Sequence, residues 1–201
     1  SGERRILWAL AQALNCVYPY LSRSGKGPGL FSAEEVMRFC EDFSLGKEEL
    51  LEASNGAAEK RQRDNKNRRT LEVMLNKLHD SIRPHMIDPE TGQCSKVDPG
   101  RVQRIFVSAF GFSRGAAEAR VFVNWFLAMC QIDAELRGQT GPTLASFPVT
   151  FDFLGLFDTV ASVGVAASSL FADGHGGWAD ADASMRIPAE VPCLHIVAAH
   201  E

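Results

Sequence analysis

A run of apolar residues leads directly into a Gly-x-Ser-x-Gly motif in the middle of the chain. Residues 105–112 read Ile-Phe-Val-Ser-Ala-Phe-Gly-Phe, and Ser113, Arg114 and Gly115 follow. The apolar run predicts a buried strand, and the long apolar pattern after Gly115 predicts a helix. Gly111 and Gly115 leave room for a tight turn in which side chains would clash. The order of strand, serine turn and helix is typical of a nucleophile elbow with Ser113 at its tip.

Helical patterns dominate the first half of the chain, and strand patterns occur only in the second. In the first half we expect a helix over 3–18 that ends at Pro19, and a second helix that begins with a capping box of Ser32 and Glu35. A short polar helix is predicted over 47–56. A further helix is predicted from the apolar stripe between Thr70 and His79, and a loop over 84–100. In the second half we expect strands over 104–110, 149–157 and 193–199, a helix over 114–137 stopped by Gly138, and a connection over 159–192.

This order of elements predicts an α/β protein with a mostly parallel sheet flanked by helices. The strand over 104–110 is apolar on both faces, as a central strand covered by helices would be. The helix after it is apolar nearly all round, so we expect it to be covered on two sides. The elbow favours the α/β-hydrolase type.

The small number of predicted strands indicates that only part of an α/β-hydrolase domain is present. Three strands are few for an α/β-hydrolase sheet, and residues 1–103 contain no convincing strand. We therefore interpret residues 1–201 as a partial catalytic domain, a central fragment of a larger protein. Residues 1–103 would be mainly helix and loop, and residues 104–201 would form the core with the elbow and an acid-bearing strand.

Composition and charge exclude several classes. The 201 residues carry a net charge of −4, which argues against a nucleic-acid partner. The longest apolar stretches, Val121–Cys130 and Phe153–Phe157, are far shorter than the roughly 20 residues of a membrane span. No signal peptide is visible at the N-terminus. No motif calls for a cofactor.

The chain has five cysteines, and none forms a C-x-x-C pair. A structural zinc site is therefore not expected, and we predict no metal. Cys40, Cys130 and Cys193 have apolar neighbours, so we interpret them as buried free thiols. Free thiols suit a protein made in a reducing compartment.

The candidate catalytic groups follow from the elbow. Ser113 is the candidate nucleophile, and the backbone N–H of Arg114 is the candidate oxyanion donor. Asp158 follows the strand over 149–157 and is the candidate acid, since catalytic groups gather at the carboxyl ends of parallel strands. Asp152, at the start of that strand, is its competitor. The alternatives are a serine in an ordinary turn and an aspartate that caps a helix or forms a turn.

The catalytic base is not evident from order alone. This fold uses the order Ser, Asp, His, and His79 and His85 precede the serine. His175 lies in a Gly-rich loop, and His195 lies inside an apolar strand, where a satisfied core residue is the favoured interpretation. His200 has acceptable order.

Three blocks of the second half resemble successive motifs of one α/β-hydrolase family. They are residues 110–120 (FGFSRGAAEAR), 155–164 (GLFDTVASVG) and 197–201 (VAAHE). The family includes the first class of phospholipase effectors delivered by the bacterial type VI secretion system. The resemblance covers residues 104–201 well and residues 1–103 poorly.

The resemblance implies a Ser–Asp–His triad in which Ser113 and Asp158 match the family's nucleophile and acid. The family's histidine block, of the type H-S-D-V-G-G-G, is absent, so the base is expected beyond Glu201, with His200 as a weaker choice. The family's N-terminal F-D-G-T-type strand, which supplies a second oxyanion donor, is also absent.

The resemblance further implies a lipolytic enzyme that cleaves fatty-acyl esters of phospholipids. It implies synthesis in a bacterial cytoplasm and delivery into a target cell, into its periplasm, with an immunity protein and a secretion spike protein as partners. Two alternatives stay open. One is an esterase acting on soluble substrates. The other is a non-catalytic interaction module that uses the basic run over 60–69, which is otherwise a solvated helical face or an anionic-membrane contact.

Overall fold

Helices fill the first half of the chain, and strands alternate with a helix in the second. The computed structural model describes residues 2–22, 29–42, 56–88, 90–93, 102–159 and 185–198. In these ranges the elements are, in order, α1 (Gly2–Leu21), α2 (Ala33–Asp42), α3 (Gly56–Met86), β1 (Ile105–Phe112), α4 (Arg114–Leu136), β2 (Thr143–Leu144), β3 (Phe147–Phe157) and β4 (Cys193–Ile196). The protein therefore belongs to the α/β class.

Strand β3 is the centre of the described sheet. β1 pairs with it in parallel along one side, and β4 pairs in parallel with its carboxyl half on the other side, so that Leu154 has a partner on both sides. β2 pairs antiparallel with the first residues of β3. The sheet is thus mixed, and the expectation of a mostly parallel sheet is wrong. A connection as short as Ala145-Ser146 can join only antiparallel strands.

Helix α4 packs between the sheet and the other helices. Its buried side chains lie on nearly every side of the helix, and it contacts β1, β2 and β3 as well as α1 and α3. Phe126 meets Phe151 of β3 edge to face, with ring centroids 5.9 Å apart. The expectation that this helix is covered on two sides is confirmed. It ends as predicted, because Gly138 adopts the left-handed conformation with φ 61°.

The other face of the sheet is exposed in the part of the chain that the structure describes. Residues of β1 alternate strictly, and its outward side chains are exposed. The large apolar side chains on this face, or at its carboxyl edge, are Phe106, Phe110, Phe112, Phe157, Leu194, Ile196 and Val197. The prediction that β1 is covered on both faces is therefore wrong for the described residues, where β1 is also an edge strand. We name this surface the open face.

Two helices continue through prolines beyond their predicted ends, which were Pro19 for the first helix and the loop over 84–100 for the other. α1 runs through Pro19 to Leu21, which is buried, and α3 runs through Pro84 to Met86. A proline removes one helical hydrogen bond, and packing after it sustains the last turn. Most of the short polar helix predicted over 47–56 lies outside the described residues.

Side-chain contacts support the capping box and weaken the basic-surface hypothesis. Ser32 Oγ accepts the Glu35 N–H, and Glu35 accepts the Ser32 N–H, as predicted. A hydrogen bond from Lys77, followed by that from Ser32, lowers the pKa of Glu35.

In the basic run over 60–69, Arg68 forms ion pairs with Glu72 and Glu135. These acids neutralise part of the charge that a membrane contact would use.

The buried carboxylate of Asp133 stabilises the turn between β2 and β3, and this contact was not predicted from the sequence. Asp133 is fully buried, and its Oδ2 accepts hydrogen bonds from Thr143 Oγ1 at 2.8 Å and from the Ser146 N–H at 3.2 Å. Ala145 and Ser146 both have positive φ, at 50° and 74°. Such residues rarely adopt this conformation, so the Asp133 carboxylate compensates for a turn that lacks glycine.

We expect replacement of Asp133 by alanine to destabilise the fold. Loss of the carboxylate leaves the buried Thr143 hydroxyl without its acceptor, which costs about 1–3 kcal/mol. Asp152 of β3 is an exposed acid, so D152A serves as the control and should change the free energy of unfolding by less than about 0.5 kcal/mol. Urea unfolding of both variants measures the difference. Equal stabilities would contradict the role given to Asp133.

The cysteines divide into two groups by burial. Cys40 and Cys130 are buried and not disulfide-bonded, as predicted, whereas Cys193 is exposed. Among the described strands, β4 pairs only with β3. The prediction for Cys193 is therefore wrong. Cys16 is also exposed. Burial, with a smaller contribution from the Asp133 carboxylate, raises the pKa of the Cys130 thiol well above its usual range.

We therefore expect alkylation to separate these groups. Under native conditions at mildly alkaline pH, iodoacetamide should modify Cys16 and Cys193, while Cys40 and Cys130 react only after unfolding, because the thiolate is the reactive form. Peptide mass mapping of samples taken over time measures each rate. Native reaction of Cys130 as fast as that of Cys16 would show that α4 is not packed as described.

Candidate active site

Ser113 lies at the sharp turn between β1 and α4. Its backbone has φ 54° and ψ −121°, a conformation that a non-glycine residue seldom adopts. Two hydrogen bonds hold it there. The Ser113 N–H donates to the Phe157 carbonyl of β3 at 2.9 Å, and the Ser113 carbonyl accepts the Ala116 N–H of α4 at 3.0 Å. The strained turn with a half-exposed serine is the geometry of a nucleophile elbow.

The close approach of β1 and α4 explains the glycine before the serine. A Cβ atom on Gly111 would lie 2.2 Å from the Gly115 carbonyl oxygen and 2.5 Å from Ala116 Cα. These are backbone atoms and cannot move aside without shifting the helix. A Cβ atom on Gly115 would meet no described atom within 4 Å. The turn therefore requires glycine at 111, and the requirement expected at 115 has no steric basis among the described residues.

Asp158 is the first residue after β3, and it is held by the chain that follows β4. Its N–H donates to the Ile196 carbonyl at 2.7 Å, and its Oδ1 accepts the Ala198 N–H at 3.1 Å. Asp158 has φ 51°, in the left-handed region that aspartate tolerates better than most residues. Among the described residues, the side-chain hydrogen bond of Asp158 uses Oδ1 and leaves Oδ2 without a partner.

Parallel pairing brings the candidate nucleophile and the candidate acid to one edge of the sheet. Phe112, which precedes Ser113, pairs with Phe157, which precedes Asp158, and Phe157 pairs with Ile196 on its other side. The three strands thus end level with each other. The competitor Asp152 lies in the middle of β3, beside the irregular pairing of Val107 and Ser108, and not at the strand's start as predicted. It does not reach the carboxyl edge.

The first residue of α4, Arg114, carries the backbone N–H that the sequence predicts as an oxyanion donor. As the helix begins at Arg114, its backbone N–H has no acceptor within the helix. The N-terminal end of a 23-residue helix also carries partial positive charge. Both properties favour a developing negative oxygen close to Ser113.

The histidines occupy different parts of the structure. His79 and His85 lie on α3, and His175 and His200 lie outside the described residues. His195 lies on β4 with both ring nitrogens near polar partners, namely Nε2 at 3.0 Å from Thr159 Oγ1 and Nδ1 at 3.4 Å from Arg120 Nη2. The side chain is satisfied as predicted, but it is exposed and not part of the core. No hydrogen bond joins the described histidines, His79, His85 and His195, to Ser113 or Asp158.

The contacts of Arg120 and Thr159 were missed by sequence reasoning. One signal was available, because Arg120 lies in a mainly apolar helix and is followed directly by Val121, Phe122 and Val123, and charged groups in such surroundings are paired. Thr159 gave no signal. Among the described residues, no cluster of three or more His, Cys, Asp or Glu side chains has the arrangement to hold a metal ion. No described helix is long and apolar enough to cross a membrane.

Comparisons with known proteins identify a similar fold. No family model matches the chain, and no curated protein matches it. A crystal structure of an uncharacterized protein from Pseudomonas aeruginosa is similar over 100% of this chain, with 30% sequence identity and a TM-score of 0.63. The chain spans 25% of the length of that protein.

We expect the two motif glycines to respond differently to alanine. G111A should disrupt the elbow, because its Cβ would overlap the backbone of α4, and we expect a loss of more than about 2 kcal/mol or failure to fold. G115A is the matched control, and alanine there favours the helix by up to about 1 kcal/mol. Thermal unfolding measures both variants. A G111A protein as stable as G115A would contradict the elbow geometry.

Proposed function

We propose that this chain carries the nucleophile and the acid of a serine hydrolase with an α/β-hydrolase fold, which cleaves fatty-acyl esters of phospholipids. The observation that carries the proposal is the position of Ser113, held in a strained turn between strand and helix, on the same sheet edge as the Asp158 carboxylate. An ordinary turn needs neither a strained serine nor a carboxylate at the end of the neighbouring strand.

The groups at this edge suit acyl transfer. Ser113 Oγ would attack the ester carbonyl carbon, and the Arg114 N–H would donate to the oxyanion that forms, a contribution worth about 3–4 kcal/mol for one such donor. A histidine would take the serine proton and pass it to the leaving alcohol. Asp158 would accept that histidine's N–H through Oδ2, fix its tautomer and stabilise its cationic form. Water would then release the fatty acid.

The open face supports a substrate with an apolar chain. Phe112 precedes the nucleophile, and 69% of its surface is exposed. Phe157 and Ile196 continue the apolar surface along the same edge, at the paired positions of β3 and β4. An acyl chain bound to Ser113 could lie on these side chains, and burial of apolar surface contributes about 25 cal/mol per Å².

The biological role in this proposal comes from the motif resemblance. The blocks around Ser113 and Asp158 resemble those of type VI phospholipase effectors, so we propose an antibacterial toxin that is made in the bacterial cytoplasm and acts on membranes of a target cell. Its partners would be a secretion spike protein and an immunity protein.

A fluorophosphonate probe tests for an activated serine. We expect labelling of Ser113 in the full-length protein, complete loss of labelling in S113A, and normal labelling in S108A, because Ser108 lies on β1 away from the carboxyl edge. Mass mapping identifies the modified residue. Absence of labelling in a folded wild-type protein would overturn the hydrolase proposal and favour a non-catalytic module.

A second measurement separates lipids from soluble esters. Fatty-acid release from phosphatidylcholine vesicles and hydrolysis of p-nitrophenyl acetate should be measured for the wild type and for F112S, which removes the exposed ring next to the nucleophile. For a lipolytic enzyme we expect F112S to lose more rate on vesicles than on the acetate. Equal losses would favour the esterase alternative.

A further inference from the structure

Three side chains connect the candidate acid to the long helix of the core. Thr159 follows Asp158 directly, and its Oγ1 lies 3.0 Å from His195 Nε2. The other ring nitrogen of His195, Nδ1, lies 3.4 Å from Arg120 Nη2 on α4. We call this the Arg120–His195–Thr159 chain. It reaches the residue next to Asp158 from the helix-covered side of the sheet.

The chemistry of arginine sets the direction of these hydrogen bonds. A guanidinium group donates and never accepts, so His195 Nδ1 must accept from Arg120. The ring proton of the neutral imidazole then lies on Nε2 and is donated to Thr159 Oγ1. The hydroxyl hydrogen of Thr159 is left to donate elsewhere.

Arg120 is well anchored at the start of the chain. Its Nη1 donates to the Met185 carbonyl at 3.3 Å. Asn124, one helical turn later, donates to the Arg120 carbonyl at 3.0 Å and to the Arg186 carbonyl at 2.9 Å. Arg120 and Asn124 therefore fix the segment that leads into β4 against α4, and they give His195 a rigid support.

Asp158 is thereby held from two directions. Its N–H and Oδ1 are held by the end of β4 through Ile196 and Ala198, and Thr159 is held by His195. We propose that Arg120, His195 and Thr159 are positioning residues that hold the segment after β3 so that Asp158 Oδ1 stays on the Ala198 N–H and Oδ2 faces the catalytic base. The effect on catalysis rests on the proposed function, whereas the hydrogen bonds that position Asp158 do not depend on it.

The tautomer of His195 and the amide of Ala198 test the geometry without any activity. Long-range ¹⁵N–¹H NMR should show the Nε2–H tautomer of His195 in the wild type. Hydrogen exchange at the Ala198 amide should quicken in T159V, which keeps the shape of threonine but removes its oxygen. In T159S, which keeps the hydroxyl, exchange should stay close to that of the wild type. An Nδ1–H tautomer, or equal exchange in T159V and wild type, would overturn the proposal.

Kinetics with p-nitrophenyl butyrate test the consequence for catalysis. The positioning role predicts that T159V lowers kcat by about tenfold to a hundredfold, the usual effect of a small misplacement, and leaves KM unchanged. T159S should restore kcat. At position 195, H195Q places an amide nitrogen near the position of Nε2 and should retain more activity than H195N, which does not reach Thr159.

The two proposals fail in different ways. An unlabelled Ser113 in a wild-type protein with the Nε2–H tautomer and the expected exchange pattern would overturn the hydrolase and support the geometry of the chain. A labelled, active wild type with unchanged kcat in T159V would retain the hydrolase and overturn the positioning role.

Discussion

The contact between the end of β1 and the first turn of α4 is the constraint on which the rest of the structure depends. The two backbones approach so closely at Gly111 that a single methyl group would overlap the Gly115 carbonyl. This approach places α4 against the sheet, where Phe126 and its neighbours bury the core. It also turns the chain within one residue, so that Ser113 takes a strained conformation. The packing of α4 and the conformation of Ser113 therefore both result from the contact at Gly111. The hydrogen bond from the Ser113 N–H to the Phe157 carbonyl connects the same turn to β3.

The sequence predicted the elements that are long and strongly patterned. The strand before Ser113, the apolar helix and the strand before Asp158 are confirmed because each is a mainly apolar run bounded by turn residues. The capping box is confirmed because its two side chains bond to nearby backbone. The position of Asp158 at the carboxyl edge could be predicted because parallel strands bring their carboxyl ends together.

Features that depend on distant contacts could not be predicted. The β2–β3 turn uses Ala145 and Ser146, which seldom adopt a positive φ, and it is stabilised by Asp133 from a different element. Cys193 and His195 are exposed on β4, which pairs only with β3 among the described strands, and local hydrophobicity does not report such a position. The Arg120–His195–Thr159 chain joins residues from a helix, a strand and a loop, and only the arginine in an apolar helix left a signal.

The two faces of the sheet have different roles in the proposed site. On the covered face, α4 and the Arg120–His195–Thr159 chain fix the backbone that carries Ser113 and Asp158. On the open face, Phe112, Phe157 and Ile196 offer apolar surface beside Ser113, the proposed nucleophile. Rigid groups are needed where charge develops, because electrostatic stabilisation depends on dipoles that are already oriented. Apolar contact tolerates looser geometry. A site at the border between the two faces can therefore combine a fixed catalytic edge with an adaptable acyl surface.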